Sequence, residues 1–391
     1  MILSPFRLLC ATGLFAIFSS TISKSPVLPL FASHLGAGPS EVGFVAAISA
    51  FTGVVFSFPA GIFADRIGKR KMLLFSSIIF STAPVLYLFV TQIWQLALVR
   101  FYHGFSTAIF LPVAMAFVSE LFHKERGEKM GWFSTSTLIG RFMAPLAGGT
   151  IIGAMALNQS EAFVGVYVVC GIAGAATFLI ALFLPNSAEA HPQKQTWTET
   201  LSAFKQVAAD RAIVLTCAVE AAILFAYGTF ETFLPLYAVS AGISPYKVGV
   251  FLSAQVITLA LSKPVMGRFS DRHGRKPQIF FGAMVGALCI ACFSFFSSFI
   301  PLLFVSIAFG MSLSIVTSAT SAYIADLSNK QARGSAMGLL GSIMDIGHTT
   351  GPLLSGIIAA HFGFAQAFIC ASFVLVAAAV IFRAALKIQQ N

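Results

Sequence analysis

Residues 61–71 read GIFADRIGKRK, and residues 267–277 read GRFSDRHGRKP. Gly61, Asp65, Arg66 and Gly68 recur as Gly267, Asp271, Arg272 and Gly274, each 206 residues later. A basic pair, Lys69-Arg70 or Arg275-Lys276, follows each copy, and a long apolar run precedes it. A charged turn that occurs twice between membrane-length segments marks a chain built of two like halves. The repeat extends beyond the turns. VLPLFASHLGAGPSEVG (27–43) aligns with FLPLYAVSAGISPYKVG (233–249), and Glu120 matches Asp326. One residue further out of step, Arg126-Gly127 matches Arg333-Gly334 and Pro145 matches Pro352.

Composition sets the environment. The chain is 57% hydrophobic and 10% charged, whereas soluble domains average about 25% charged residues. Runs long enough to cross a bilayer as helix, roughly 20 residues, fill most of the length. Twelve are expected: 8–33, 40–64, 72–91, 95–121, 130–155, 163–185, 212–238, 246–268, 278–297, 301–326, 335–360 and 365–386. They are continuous, unlike the short alternating strands of an outer-membrane barrel, and a helix satisfies its own backbone in lipid. The expected fold is an all-α integral membrane protein, with twelve transmembrane helices in two pseudo-symmetric six-helix bundles. The bundles would be residues 1–187 and 212–391, joined by a cytoplasmic linker at 188–211. An even number of spans per half keeps both charged turns on one side, so the halves are parallel repeats.

The net charge of +10 has a topological reading. With the N-terminus inside, 19 of the 24 Lys and Arg fall on cytoplasmic segments; Lys247 alone lies on an outer loop. That bias places the chain in the inner (plasma) membrane as a multi-pass protein with both termini cytoplasmic. It also argues against nucleic acid as a partner. All six Cys lie within spans, where Cys behaves as a small hydrophobe. The first apolar run is too long for a cleaved leader. The polar stretch 186–211 should carry a short amphipathic helix near Thr198–Ala209 at the membrane surface.

With these features in place, the sequence resembles the major facilitator superfamily along its whole length. Its first turn is similar to that family's G-x-x-x-D-R-x-G-R-R signature, with Lys69 for the first of the two final Arg residues. Arg100-x-x-His103-Gly104 resembles a span-4 motif in which many members carry Gln at the His position. Gly140-x-x-x-Ala144-Pro145-x-x-Gly148-Gly149 resembles the span-5 motif of drug:proton antiporters, with Ala144 for Gly. The resemblance implies that the turns latch the two halves. The latch set would be Gly61, Asp65, Arg66, Gly68, Lys69, Arg70, Gly267, Asp271, Arg272, Gly274 and Arg275. It also implies that Arg100 interacts with a proton relay, and that the span-5 motif favours export.

Within the turns, Gly61 should permit close approach of a helix, and Gly68 should permit chain reversal. Asp65 can pair with a nearby Arg or cap a helix. The small and kinking residues Gly140, Pro145, Gly148, Gly149, Gly351 and Pro352 should form close helix seams.

Ionisable residues inside spans are the most telling, because each costs roughly 2.5–3.5 kcal/mol at a helix centre. Glu220 and Glu231, 11 residues apart on one span, share a face with Tyr227. Lys24 occupies nearly the repeat-equivalent position to Glu231, and the two are expected to face each other across a central cavity. Asp345 and His348 are spaced i, i+3 and should be neighbours; His348 is the repeat equivalent of Arg141. These residues, with Arg100 and His103, are the candidates for proton coupling and for lining a cavity. Arg100 could instead snorkel to the surface, and Lys263 could snorkel or pair with Glu220.

No P-loop, catalytic constellation or metal set occurs, so no enzyme activity, cofactor or metal is expected. The expected function is proton-coupled secondary active transport by alternating access, most simply export of a small organic or amphipathic solute. The alternative is a symporter or facilitator importing a nutrient or organic anion. Partners would be the solute, protons and membrane lipids, with the chain acting as a monomer.

Overall fold

A computed structural model describes residues 4–122, 124–186, 209–328 and 333–387. The amphipathic helix expected near 198–209 lies almost wholly outside the described residues. The described residues form thirteen α-helices and no strand. They are α1 (Pro5–Ile22), α2 (Val27–His34), α3 (Pro39–Ile67), α4 (Lys69–Tyr87), α5 (Ile93–Leu121), α6 (Arg126–Ala154) and α7 (Gln159–Ala181). The second half supplies α8 (Arg211–Ser240), α9 (Pro245–His273), α10 (Arg275–Cys292), α11 (Phe299–Leu327), α12 (Arg333–Phe362) and α13 (Phe364–Lys387).

Helix ends follow local chemistry. The Ser4 hydroxyl accepts from Arg7 N at 3.4 Å, and Pro5 occupies the first turn of α1, where its missing N–H costs nothing. Asp210 accepts from Ala212 N and Ile213 N at 2.8 and 3.2 Å to start α8. The charged turns are tight. Gly68 (φ +103°) separates α3 from α4, and Gly274 (φ +92°) separates α9 from α10. Both lie in the region that an L side chain rarely adopts, as expected for Gly68.

Span 1 departs from the single helix expected over 8–33. It breaks at Ser23–Pro26 into α1 and α2, because Pro26 brings no backbone N–H to continue the ladder. Lys24 lies in that break, where its carbonyl accepts from Leu28 N at 3.0 Å. Counting α1 and α2 as one span leaves twelve. Nine stretches among the described residues are long and apolar enough to cross a membrane on length and composition alone. The other three are α4 and α10, with basic first turns, and α12, with Asp345 and His348-Thr349-Thr350 in its middle.

The chain groups into two compact units, Met1–Gln193 with Ser244–Ser253, and Lys194–Ile243 with Ala254–Asn391. In the first, α6 packs along α1, and a Cβ on Gly140 would lie 2.5 Å from Leu14 O. Gly149 abuts the Ser244–Ser253 segment, where the same construction on Gly149 meets Gly249 Cα at 3.1 Å. In the second, α12 packs along α8, and a Cβ on Gly347 would meet Ala221 Cα at 2.9 Å. Gly140 and Gly347 are 207 residues apart, and so are Leu14 and Ala221. The internal repeat is thus present in packing as well as in sequence. Gly351 abuts Phe225, and Pro352 abuts Gly228, on the same seam. The largest fully buried side chains are Phe and Tyr, and the Phe230 ring lies tilted against those of Phe293 and Phe309, with centroids 5.2 and 5.3 Å apart.

Candidate functional site

The second unit holds two buried acids on α8. Glu231 is 8% exposed and meets His348 of α12, Oε2 to Nε2, at 3.1 Å. The Tyr227 ring lies 5.4 Å from the imidazole. Below the pair, the Thr229 and Ser355 hydroxyls bond at 2.7 Å. Asp345 and His348 are spaced i, i+3 on α12, and the imidazole reaches across the seam to α8. Gly228 makes this possible: a side chain there would collide with Pro352 and the His348 backbone.

Glu220, three turns away on α8, is fully buried. Its Oε2 accepts from the Thr320 hydroxyl of α11 at 2.6 Å, while Oε1 is buried without a hydrogen-bond partner among the described residues. Two more α11 hydroxyls, Ser314 and Thr317, are also buried with no hydrogen-bond partner among the described residues. Of the two readings for Lys263, snorkelling or pairing with Glu220, the ion pair is not formed, and the side chain is exposed. Thr320 was not anticipated. Its one trace in the sequence is the run of hydroxyl residues from Ser312 to Ser321.

In the first unit, Arg100 and His103 of α5 are each 2% exposed, so Arg100 does not snorkel. Its Nη1 donates to Tyr87 Oη at 3.3 Å, and that hydroxyl lies 3.4 Å from His103 Nδ1. Ser23, in the α1–α2 break, lies 3.5 Å from the same nitrogen. Tyr167 of α7 stacks on Tyr87 with centroids 4.4 Å apart. Tyr87, Tyr167 and Ser23 were not among the expected site residues. Arg141 is exposed on α6 and does not join this cluster.

The charged turns carry matching ion pairs. Lys69 Nζ meets Glu120 at 2.7 Å, and Arg275 Nε meets Asp326 at 3.1 Å. Arg275 also pairs with Asp271 at 2.5 Å, four residues back across the Gly274 turn. Arg70 donates to Asn186 Oδ1 at 2.6 Å and to the Leu182 carbonyl at 2.8 Å. Arg66 and Arg272 are exposed; the Asp65 side chain lies outside the described residues. Gly61 and Gly267 do not show the close approach expected of Gly61, since among the described residues a Cβ on either would meet nothing within 4 Å.

The model of the Major Facilitator Superfamily matches residues 8–261 and again 221–390. The chain belongs to that superfamily. Among its superfamily relatives, Multidrug resistance protein 2 of Bacillus subtilis is 23% identical, covering 85% of this chain and 83% of that protein. Multidrug resistance protein MdtG of Klebsiella pneumoniae is 26% identical, covering 88% and 84%. A solved bacterial homolog of the human lysosomal transporter Spinster, inward-facing and occupied, superposes with a TM-score of 0.82 at 15% identity. It covers 98% of this chain and 96% of its own. At that identity the likeness speaks for the fold, which is the twelve-helix superfamily fold. As a superfamily member, the protein is a multi-pass inner-membrane transporter.

Proposed function

We propose that this transporter is a proton-coupled antiporter that exports a small organic or amphipathic solute by alternating access. The Glu231–His348 pair carries the reading. A carboxylate and an imidazole in contact inside a membrane bundle share a proton whose loss changes the net charge of the site by one, and such a change is costly away from water. A site of this kind can therefore tie proton occupancy to solute occupancy, with the pair titrating as a unit. Glu220, held by Thr320, is the second proton-carrying candidate on the same helix. The names of relatives from two genera, both multidrug resistance proteins, support export as the direction. The paired turns, with Lys69–Glu120 and Arg275–Asp326, would act as the latch.

Reconstitution tests this directly. Purified protein in liposomes with an acidic lumen, clamped at zero membrane potential, is given a panel of amphipathic dyes while lumenal pH is recorded. Antiport accumulates dye as the lumen turns alkaline. Accumulation only when the outside is the acidic side would identify a symporter instead. Dye flux indifferent to the pH gradient would remove proton coupling.

A further inference from the structure

Arg100 is a permanent cation within the first unit's helices. A guanidinium does not deprotonate in proteins, and leaving one buried without a counter-charge is strongly unfavourable. Among the described residues no carboxylate lies within 4 Å of Arg100. Several acids of the unit are engaged elsewhere: Glu120 with Lys69, Glu125 and Glu128 with Lys129, and Glu41 with the backbone of Gly38. The hydrogen bond Arg100 does make goes to a neutral hydroxyl, that of Tyr87.

Among the described residues, three buried polar atoms of this cluster have no hydrogen-bond partner: Arg100 Nε, His103 Nε2 and Tyr167 Oη. Each can donate. His103 Nδ1 faces the hydroxyls of Ser23 and Tyr87. The Ser23 proton goes to the Ser20 carbonyl at 2.8 Å. The Tyr87 hydroxyl, which accepts from Arg100, can donate to Nδ1, and in that tautomer Nε2 carries the ring proton. Buried donors linked through Tyr87 to an uncompensated positive charge have the chemistry of an anion site. Water could satisfy the N–H groups but would leave the charge standing.

We propose that Arg100, His103 and Tyr167 bind a small monovalent anion, a halide or a simple carboxylate, inside the first bundle. The site does not depend on the transport reading, so it is tested by binding rather than flux. The detergent-purified full chain is melted in chloride, bromide, acetate and gluconate at equal ionic strength, and retention of radioactive chloride is measured. The expected result is a saturable rise in melting temperature with the small anions, and retained chloride near one per chain. Halides acting without acetate would define a halide site, and both acting would define a general one. Arg100→Gln should abolish the effect, and Tyr167→Phe should raise the half-saturating concentration several-fold. Tyr167→Phe keeps the ring stack on Tyr87, so it decides the matter if Arg100→Gln does not fold. Identical melting in all four salts with no retained chloride would overturn the proposal, as would binding that both variants leave intact.

Discussion

Lys69 meets Glu120 at 2.7 Å, and the same contact recurs 206 residues later between Arg275 and Asp326 at 3.1 Å. In each half, the residue just after the turn glycine reaches an acid at the far end of the helix two spans on, α5 or α11. The side chains are partly exposed, 13% for Lys69 and 22% for Glu120. Such pairs contribute little to folding, about 0–1 kcal/mol. Their recurrence is better explained by transport than by stability.

That division makes a prediction. Glu120→Gln and Asp326→Asn should each lower the transport rate several-fold, while thermal unfolding shifts by no more than about 1 kcal/mol. Asp65→Ala should cripple transport with expression near normal. Restored flux in a Lys69→Glu, Glu120→Lys double variant would identify the pair itself as the working contact. Normal flux in all three single variants would end the latch assignment.

The turns were legible in the sequence because a repeat at fixed offset fixes position without any knowledge of packing. The span count followed from the length of the apolar runs, and the chain reversal at Gly68 from its place in the turn. Partner choice did not. That His348 meets Glu231 across to α8 depends on how α12 is rotated about its axis. That rotation is set by Gly228 and Gly351 on the seam, not by spacing along one helix. Thr320 and Tyr87 escaped notice for a related reason: neutral hydroxyls are common in these spans, and nothing local separates those that meet a charge. The break at Ser23–Pro26 was hidden by its apolar flanks.

Glu231→Gln and His348→Gln should each uncouple the transporter. Accumulation driven by a pH gradient should be lost, while solute exchange across the membrane at equal pH persists, because solute binding does not need the proton to move. Both processes are measured in the same liposomes. Equal loss of exchange and of driven accumulation would point to a folding or solute-binding defect instead.

Thr320→Val removes the donor to Glu220 Oε2 and leaves a buried carboxylate with neither oxygen satisfied among the described residues. The unmade bond should destabilise the protein by about 1–3 kcal/mol and displace the pH at which driven transport is half-maximal. Thr320→Ser keeps the hydroxyl and should restore the pH profile. A valine variant with an unchanged profile would separate Glu220 from the proton path.

The glycine seams give a prediction with a built-in control. A methyl group on Gly140 would sit 2.5 Å from Leu14 O and 3.0 Å from Phe18 N, both backbone atoms that cannot swing aside. Gly140→Ala must therefore push α6 off α1, at about 1–3 kcal/mol by analogy with overpacked cores. Gly347→Ala, against the backbone of Ala221, should do the same to α12 and α8. Gly61→Ala and Gly267→Ala meet open space, and replacing Gly by Ala inside a helix is favourable by roughly 0.5–1 kcal/mol. In detergent melts the seam pair should fall and the turn pair should hold or rise slightly. If the turn variants keep their stability but lose flux, those glycines serve a conformation other than the one described here. If all four melt alike, the seams are looser than their geometry indicates.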